Sequence, residues 1–485
     1  MIERVKSIAI VVLVLNTILL LYFYWSNPAA DVKQALSALS AETPPPVAVR
    51  DILRPERITL NFGGENYTVF DADAGIWESV GKSPAGFIEE MRDMASGESM
   101  ALGVISRRDY GEVMKARSIQ ADFAFSIPFS EYCAEYGLTQ LGRTGGIDSF
   151  TTVAYSTASP ESFFVCDKLS GKYYRLSTSR ARNSGLEALI SRAEGLNNAS
   201  YYPLRTYAGI DNDVMLPLDM KIVLPETSYR DYAVGYAGTR DGDLTTDMAR
   251  AYFGESFDFT RKLTEADGSI VYMYRYGEKV LSMRDGVFEY NATADAYGSG
   301  GFFQDLRIAL DFLARCGAPW RGDGAAADRN GIYLKAAGPN PDNGAYRFLF
   351  GLTRDGWRVS YENSEPFLVE VRGQRATYAR LDLILCSPSP PKPLKDAAAP
   401  FDVLVANYAY IFDDLAKNGP LRQEADISTL DPFTAVMERT RDVRAGYLRP
   451  DDGSSGELAA VWVFDIDGLP YYFNLYSGEI ATRAR

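Results

Sequence analysis

The chain has 485 residues, with 50 lysines and arginines against 64 aspartates and glutamates, which gives a formal net charge of −14 at pH 7. A surface of this sign opposes binding to nucleic acid and to anionic lipid faces. The chain contains no histidine, so it lacks the commonest general base near neutral pH and the commonest metal ligand. We therefore expect no nucleic acid, no metal and no cofactor among its ligands.

Residues 7–25 are predicted to form a single transmembrane helix. They read SIAIVVLVLNTILLLYFYW, without a charge, and at about 1.5 Å per residue they span about 28 Å, the thickness of a bilayer's hydrocarbon core. Arg4 and Lys6 favour a cytoplasmic tail at residues 1–6, which places the bulk of the chain outside the cytoplasm. Aromatic residues typical of a membrane interface end the run: Tyr22, Tyr24 and Trp25. A cleaved secretory signal has a shorter apolar region, about 7–15 residues, so we predict a single-pass protein of the cell membrane.

Two polar residues, Asn16 and Thr17, occupy the middle of this helix. An amide in hydrocarbon costs free energy unless it is hydrogen-bonded, and its partner in membranes is often another helix. Leu13 and Leu20 lie one turn before and after Asn16, so we predict that these four residues contact a partner helix. The alternative is that Thr17 bonds its own backbone and Asn16 tolerates its position.

The rest of the chain is predicted to fold into two to three domains of the α+β class. With 46% hydrophobic and 13% aromatic residues the chain is globular, and about 460 residues beyond the membrane helix are too many for one hydrophobic core. A linker at 26–55, stiffened by Pro44, Pro45 and Pro46, precedes a first domain at 56–200. A tract with little periodicity, 197–217, leads into a second domain at 201–390. The proline-rich tract 387–393 marks the boundary with a C-terminal segment at 391–485.

Periodicity and turn residues predict the elements in chain order. The first domain contains a hairpin at 57–62 and 66–70, a helix from the Ser83 cap to Gly97, a strand at 118–127, a helix at 131–136 and a hairpin at 162–166 and 172–176. The second contains helices at 244–253 and 302–316 and strands at 269–276, 279–283, 287–291, 346–352, 357–361, 367–372 and 378–386. The C-terminal segment contains helices at 401–417 and from Asp431, and a hairpin at 459–465 and 471–476. Tight turns between most strands favour antiparallel sheets.

The four cysteines are Cys133, Cys166, Cys316 and Cys386, and they form no C-x-x-C pair. A zinc site would therefore need all four to converge from distant segments. We predict buried free thiols from the usual burial of cysteine. Up to two disulfides remain the alternative outside the cytoplasm, and the sequence does not choose among their three pairings.

Signals for catalysis are weak, and we assign no catalytic residue. Ser79 and Lys82 match S-x-x-K of penicillin-recognising enzymes, but the supporting S-D-N and K-T-G strings do not occur in the sequence. Acidic pairs could serve as glycosidase acid and base, but turn chemistry explains the last of them better: Asp71 with Asp73, Asp413 with Asp414, and Asp465 with Asp467.

Four features of the sequence together resemble the YycH/YycI family of membrane-anchored accessory proteins from Gram-positive bacteria. The first is a single N-terminal anchor with a very short tail. The segment 118–129, SIQADFAFSIPF, resembles the family's apolar strand ending in Ile-Pro. The segments 274–281 and 286–290, with the helix after them, resemble the second YycH domain. The ending at 460–464 and 471–480 is similar to the final hairpin of YycI and PepSY-type domains.

The resemblance implies a non-enzymatic regulator of a two-component sensor histidine kinase that controls cell-wall homeostasis. It implies two membrane partners, the kinase and a YycI-like protein. The proline-rich tract 387–393 departs from the family pattern. Two alternatives stay open, an extracytoplasmic enzyme that acts on cell-wall polymer with a carboxylate pair, and an anchored module that binds a wall fragment or peptide in an aromatic pocket.

Overall fold

The computed structural model describes these residues: 48–71, 100–138, 141, 145–178, 185–196, 198–218, 221–222, 224, 227–231, 244–284, 286–293, 300–315, 330–354, 356–362, 364–382, 384–388, 395–423, 429–451 and 455–483. Residues 47–485 form one compact unit. The predicted membrane helix at 7–25 and the predicted helix after Ser83 lie outside the described residues. Within the described ranges, no helix is long and apolar enough to cross a membrane.

A nine-stranded sheet occupies the first part of this unit, in the order β3-β7-β6-β5-β4-β1-β2-β8-β9. Its strands are β1 Arg57–Asn61, β2 Tyr67–Asp71, β3 Ala101–Ile105, β4 Ser118–Pro128, β5 Ser149–Ser156, β6 Ser162–Asp167, β7 Lys172–Ser177, β8 Tyr201–Pro203 and β9 Met215–Pro217. The helices of this part are α1 Val49–Ile52, α2 Arg107–Met114, α3 Phe129–Glu135, α4 Gly185–Glu194 and α5 Leu204–Ala208. The sheet pairs are antiparallel.

A fifteen-stranded sheet forms most of the rest, and β10 Lys221–Ile222 pairs separately with β22 Lys395–Asp396. Its strands are β11 Thr227–Asp231, β12 Thr260–Thr264, β13 Ile270–Tyr274, β14 Lys279–Arg284, β15 Val287–Ala292, β16 Asn330–Pro339, β17 Tyr346–Arg354, β18 Trp357–Tyr361, β19 Phe367–Arg372, β20 Arg375–Asp382, β21 Ile384–Pro388, β23 Thr440–Arg449, β24 Ser455–Ile466, β25 Leu469–Asn474 and β26 Ile480–Arg483. The accompanying helices are α6 Leu244–Phe253, α7 Phe302–Arg315, α8 Pro400–Asn418 and α9 Pro432–Arg439. Its pairs are antiparallel apart from β18 with β23, which run parallel.

The strands form because their apolar residues alternate, so that one face of each sheet enters the core. The centre of the first sheet shows this on β6, where Phe163 and Val165 join the main core while Phe164 and Cys166 face a smaller cluster under α2. Helix α7 buries an apolar stripe against β19 and β20. The main core runs without interruption from Val49 to Leu475, so both sheets share it.

Helix α3 packs on the first sheet and helix α7 on the second, and the two helices contact each other. The Glu131 carboxylate accepts a hydrogen bond from the Phe303 backbone N–H at 3.3 Å, which satisfies a donor in the first turn of α7. The ring of Phe125 lies 6.1 Å from that of Phe302. At a second point the buried Asn212 amide donates to the carbonyl oxygens of Met437 and Thr440, at 2.7 and 2.8 Å.

The α+β class with mainly antiparallel sheets is confirmed. The hairpin β1–β2, the long β4, the pair β6–β7, the meander β13–β15 and helices α3, α6, α7, α8 and α9 lie where the pattern predicted them, within a few residues. Helix α9 begins after Asp431, whose carboxylate accepts from the Thr434 N–H at 2.9 Å. The tract 197–217 is different, since it contains β8, α5 and β9, which are too short to show periodicity.

The division at 200 and 390 stays a prediction, and the strands show how the segments connect. Strands β11, β21 and β24 are neighbours in one sheet, so strands from both sides of the proline-rich tract 387–393 pair with a common partner. Val49, Ile52 and Leu53, which the sequence assigned to the linker, are buried in the main core.

Gly446 on β23 provides a test of the parallel pairing. A Cβ atom there would lie 2.8 Å from the Arg358 backbone oxygen of β18. We expect Gly446→Ala to lower the free energy of unfolding by about 1–3 kcal/mol, the usual cost of overpacking. Urea unfolding followed by tryptophan fluorescence measures this change.

Gly338 on β16 is the matched control, because no atom lies within 4 Å of a Cβ built there. Gly338→Ala should leave stability unchanged or raise it by about 0.5–1 kcal/mol, since alanine restricts the unfolded chain. Equal effects of the two substitutions would contradict a close approach at Gly446.

Candidate functional site

The residues that the sequence predicted for partner binding are Leu13, Asn16, Thr17 and Leu20, with interfacial anchors at Tyr22, Tyr24 and Trp25. They lie outside the described residues, and their role stays a prediction. Among the described residues, a group of ion-paired side chains lies where β1 meets β18 and β23. We call it the junction cluster, and it consists of Glu56, Arg57, Arg358, Asp442 and Arg444.

Asp442 is the centre of the junction cluster. One of its carboxylate oxygens accepts from Arg57 Nη2 at 2.5 Å, and the other accepts from Arg444 Nη1 at 2.6 Å. Arg57 Nη2 also donates to the Val443 carbonyl oxygen at 3.1 Å. The side chains of Asp442, Arg57 and Arg444 are 17–20% exposed, so water screens these pairs far less than surface pairs.

Glu56 and Arg358 form the second half of the cluster. The Arg358 guanidinium forms an ion pair with the Glu56 carboxylate, and Arg444 Nη1 lies 3.7 Å from the same carboxylate. The Arg358 guanidinium carbon lies 4.4 Å from the centroid of the Tyr333 ring, which is a cation–π distance. The cluster therefore joins the first sheet, through β1, to β18 and β23 of the second.

Two glycines make room for this arrangement. Gly446 allows β23 to approach the Arg358 carbonyl oxygen of β18, and Gly351 on β17 leaves the space that the Tyr333 ring occupies. A side chain at either position would meet backbone or ring atoms. The position of the Arg358 guanidinium thus depends on close packing of β16, β17, β18 and β23.

Electrostatics keep the cluster charged. Burial alone would raise the pKa of Asp442, but the three guanidinium groups of the cluster lower it well below its usual value. Burial would lower the pKa of Arg444, but the Asp442 carboxylate raises it above its usual value. Burial raises the pKa of Asp465, which faces Asp442 across β23 and β24, and the Asp442 charge adds to that rise.

Three guanidinium groups and two carboxylates leave the junction cluster with one excess positive charge. The arrangement holds the start of β1 against residues that follow it by more than 300 positions in the chain. The cluster therefore fixes the position of β1 relative to β18 and β23 within the described residues. Its chemistry is that of a rigid attachment rather than of proton transfer.

The sequence did not predict the junction cluster. Its charged residues stand inside or beside strands, and alternation assigns such positions to solvent. One signal was present on β23, where Arg441, Asp442 and Arg444 precede a buried run at 445–448. Asp442 and Arg444 are two residues apart and so lie on one face of β23. Opposite charges on one face of a strand indicate a charged partner there.

The acidic pair on α8 has structural partners. Asp413 pairs with Lys417 at 2.9 Å on the exposed side of the helix. Asp414 is buried and accepts hydrogen bonds from the Tyr471 hydroxyl at 3.0 Å and from the Asn418 amide at 3.2 Å. These contacts fasten α8 to β25.

The predicted turn at Asp467 joins β24 to β25. Asp467 has a φ of 55°, in the left-handed region, and pairs with Arg441. Asp465 accepts from the Gly468 N–H at 2.8 Å.

Asp71, of the first acidic pair, ends β2, and Asp73 lies outside the described residues. In the ranges that the structure describes, no three metal-ligating side chains come together.

Cys133 and Cys166 are buried free thiols, as the sequence predicted. Burial raises the pKa of each thiol to about 12, so both are protonated and unreactive near neutral pH. Cys386 is partly buried, and Cys316 lies outside the described residues.

Asp442 should contribute stability that depends on pH. Its pKa is lowered in the folded state, so its contribution is present above the unfolded pKa of about 3.9 and is lost as pH falls through and below that value. We expect Asp442→Asn to lower the free energy of unfolding at pH 7 by about 2–4 kcal/mol, because arginines are left without their carboxylate. The difference from the wild type should shrink as the pH falls from 5 to about 3.

Urea unfolding at each pH gives this difference. Asp413→Asn is the matched control, since its exposed pair with Lys417 should contribute less than about 1 kcal/mol. A deficit for Asp442→Asn that stays constant down to pH 3 would show that packing rather than charge accounts for it.

Comparisons with known proteins support the fold and not a family assignment. No family model matches the chain, and no curated protein matches it. Among solved structures, the chain is similar to the crystal structure of YycH from Bacillus subtilis, with a TM-score of 0.52 and 10% sequence identity. The similarity covers 88% of this chain and 97% of the other. The chain therefore has a YycH-like fold.

Proposed function

We propose that this chain is a non-enzymatic accessory protein, anchored in the cell membrane, that regulates a two-component sensor histidine kinase controlling cell-wall homeostasis in a Gram-positive bacterium. The observation that carries the proposal is the YycH-like fold over 88% of the chain. The predicted anchor at 7–25 is consistent with it, because family members work through a membrane helix and external domains. The partners we propose are the sensor kinase and a YycI-like protein in the same membrane.

The enzyme with a carboxylate pair is the second candidate, and one observation bears on it. Asp442 and Asp465 face each other on neighbouring strands, and their pKa values are shifted in opposite directions, as in acid–base pairs. However, Asp442 is held by two guanidinium groups, and Asp465 accepts from a turn N–H. These contacts give both carboxylates structural partners and so argue against an acid–base pair.

Asn16→Leu tests the proposed contact within the membrane. An interhelical hydrogen bond there is worth roughly 0.6–2 kcal/mol, so we expect association with the kinase or the YycI-like partner to fall by about threefold to thirtyfold. Crosslinking in intact cells, followed by purification in mild detergent, measures the recovery of partner.

Val14→Leu is the matched control, because residue 14 lies about 200° around the helix from Asn16. It should leave partner recovery unchanged. Failure to recover a kinase or a YycI-like protein with the wild-type chain would refute the proposed function. Recovery that neither Asn16→Leu nor replacement of the whole helix affects would move the contact to the external body.

Protease accessibility tests the proposed topology. Residues beyond 25 should be external, so protease added to intact wall-stripped cells should digest almost the whole chain. A cytoplasmic protein in the same cells must stay intact, and lysis must make both proteins susceptible. Protection of the large body in intact cells would overturn the orientation inferred from Arg4 and Lys6.

A further inference from the structure

The strand β12 is the end of the fifteen-stranded sheet and is paired on one side only, with β13, among the described strands. Its last four residues are exposed. Two apolar side chains are exposed here, Phe259 directly before the strand at 75% and Leu263 within it at 49%. An edge of this kind offers backbone donors and acceptors that fit an added strand.

The backbone of β12 directs alternate N–H groups away from β13. The Glu265 N–H donates to the Ser269 carbonyl oxygen, which fixes the alternation of the antiparallel ladder. By that alternation, the N–H groups of Lys262 and Thr264 point away from β13, toward the free edge of the sheet. The Thr260 N–H donates to the Phe257 carbonyl oxygen, so it is not available to an added strand.

The side chains of β12 select the charge of an added strand. The strand reads TRKLT, so it carries two positive charges and no negative charge in a chain whose net charge is −14. Arg261 lies beside Met273 on the outer face of the sheet, where Leu263 lies beside Val271. A strand added here would therefore place acidic side chains opposite Arg261 and Lys262, and an apolar one opposite Leu263.

A second copy of this chain fits poorly at the same edge. An antiparallel pair of β12 strands centred on Lys262 would place the two lysines directly opposite each other, which is destabilising. Exposed cationic side chains on an edge strand disfavour self-association in this way. They leave the edge available to a strand of opposite charge.

The strands behind β12 hold the edge in place. Tyr272 and Leu281, which continue the row of Lys262 across β13 and β14, are buried in the main core. The Lys262 ammonium lies 5.4 Å from the centroid of the Tyr272 ring, a cation–π contact that keeps its position on the inner face. An added strand would thus bind a preformed edge.

We propose that β12 binds an extended, acidic segment of a partner protein by strand addition to the edge of the fifteen-stranded sheet. The bound segment pairs with the outer N–H groups of β12, and its carboxylates lie against Arg261 and Lys262. This surface goes beyond the regulator proposal, because it requires a protein partner but not a kinase.

A synthetic peptide with the sequence Thr-Val-Glu-Glu-Val, blocked at both ends, tests the proposal on the full chain in detergent micelles. Hydrogen exchange with residue-level mass spectrometry should show the N–H groups of Lys262 and Thr264 slowed about tenfold when the peptide is present at about ten times its Kd. The peptide Thr-Val-Lys-Lys-Val should give no such protection. Thr-Val-Pro-Glu-Val should give none either, because its proline lies opposite Lys262 and removes the N–H that would bond to β12.

Two variants separate strand pairing from charge attraction. Thr264→Pro removes an outward N–H without removing a bond to β13, and proline is tolerated in that position of an edge strand, so peptide protection should be lost. Charge reversal by Arg261→Glu together with Lys262→Glu should transfer the protection to the lysine peptide. Unchanged exchange in the β13–β14 segment shows that each variant is folded.

Equal exchange with and without the acidic peptide would overturn the proposal. Protection that survives Thr264→Pro would overturn strand addition, because it would reflect charge alone. Protection without peptide that rises with protein concentration would assign the edge to a second copy. None of these outcomes depends on whether a kinase is recovered, so this surface and the proposed function can fail separately.

Discussion

Strands β18 and β23 run side by side so closely that the carbonyl oxygen of Arg358 fills the place of a side chain at Gly446. This contact joins residues separated by about ninety positions, and β24 and β25 extend the sheet beyond it. It also brings Arg358 beside Asp442 and Arg444, so the charged groups that hold β1 are assembled by the same approach. If the two strands were farther apart, Arg358 would move away from Asp442 and Arg444, while Arg444 would keep its pair with Asp442 on the same strand.

The two sheets share one apolar core, and residues 47–485 form one compact unit. Chain length predicts how much core a protein can bury, but not whether neighbouring cores merge. Here they merge because α3, which packs on β4 and β5, contacts α7, which packs on β17, β19 and β20. Residues such as Val49 and Ile52 therefore belong to the body, although proline-rich sequence precedes them.

Much of the fold could be predicted because alternation and helical periodicity are local properties. Helix α7 could be predicted from the helical period of its apolar residues, and the hairpin around Asp467 from its turn residues. Strands β8 and β9 were not readable, since three residues carry no period. The junction cluster was not readable either, because its members come from three distant segments and nothing in one segment indicates the charge of another.

The edge strand β12 could be predicted from the sequence only in part. Its exposure and its charge are visible in the sequence TRKLT, but its place at the end of a sheet is a matter of topology. The net charge of −14 predicted repulsion from anionic partners. A local run of positive charge on one edge modifies that expectation for one surface only, since charge acts over about a Debye length and not over the whole molecule.

The make-up of the junction cluster has a consequence for the conditions under which the protein can work. Asp442 has a lowered pKa and Arg444 a raised one, so this pair keeps its charges through mild acid and mild base. The chain also has no histidine, the side chain that ordinarily changes charge between pH 5 and 8. The attachment of β1 through Asp442 and Arg444 therefore keeps its charges across the pH range in which histidine would titrate.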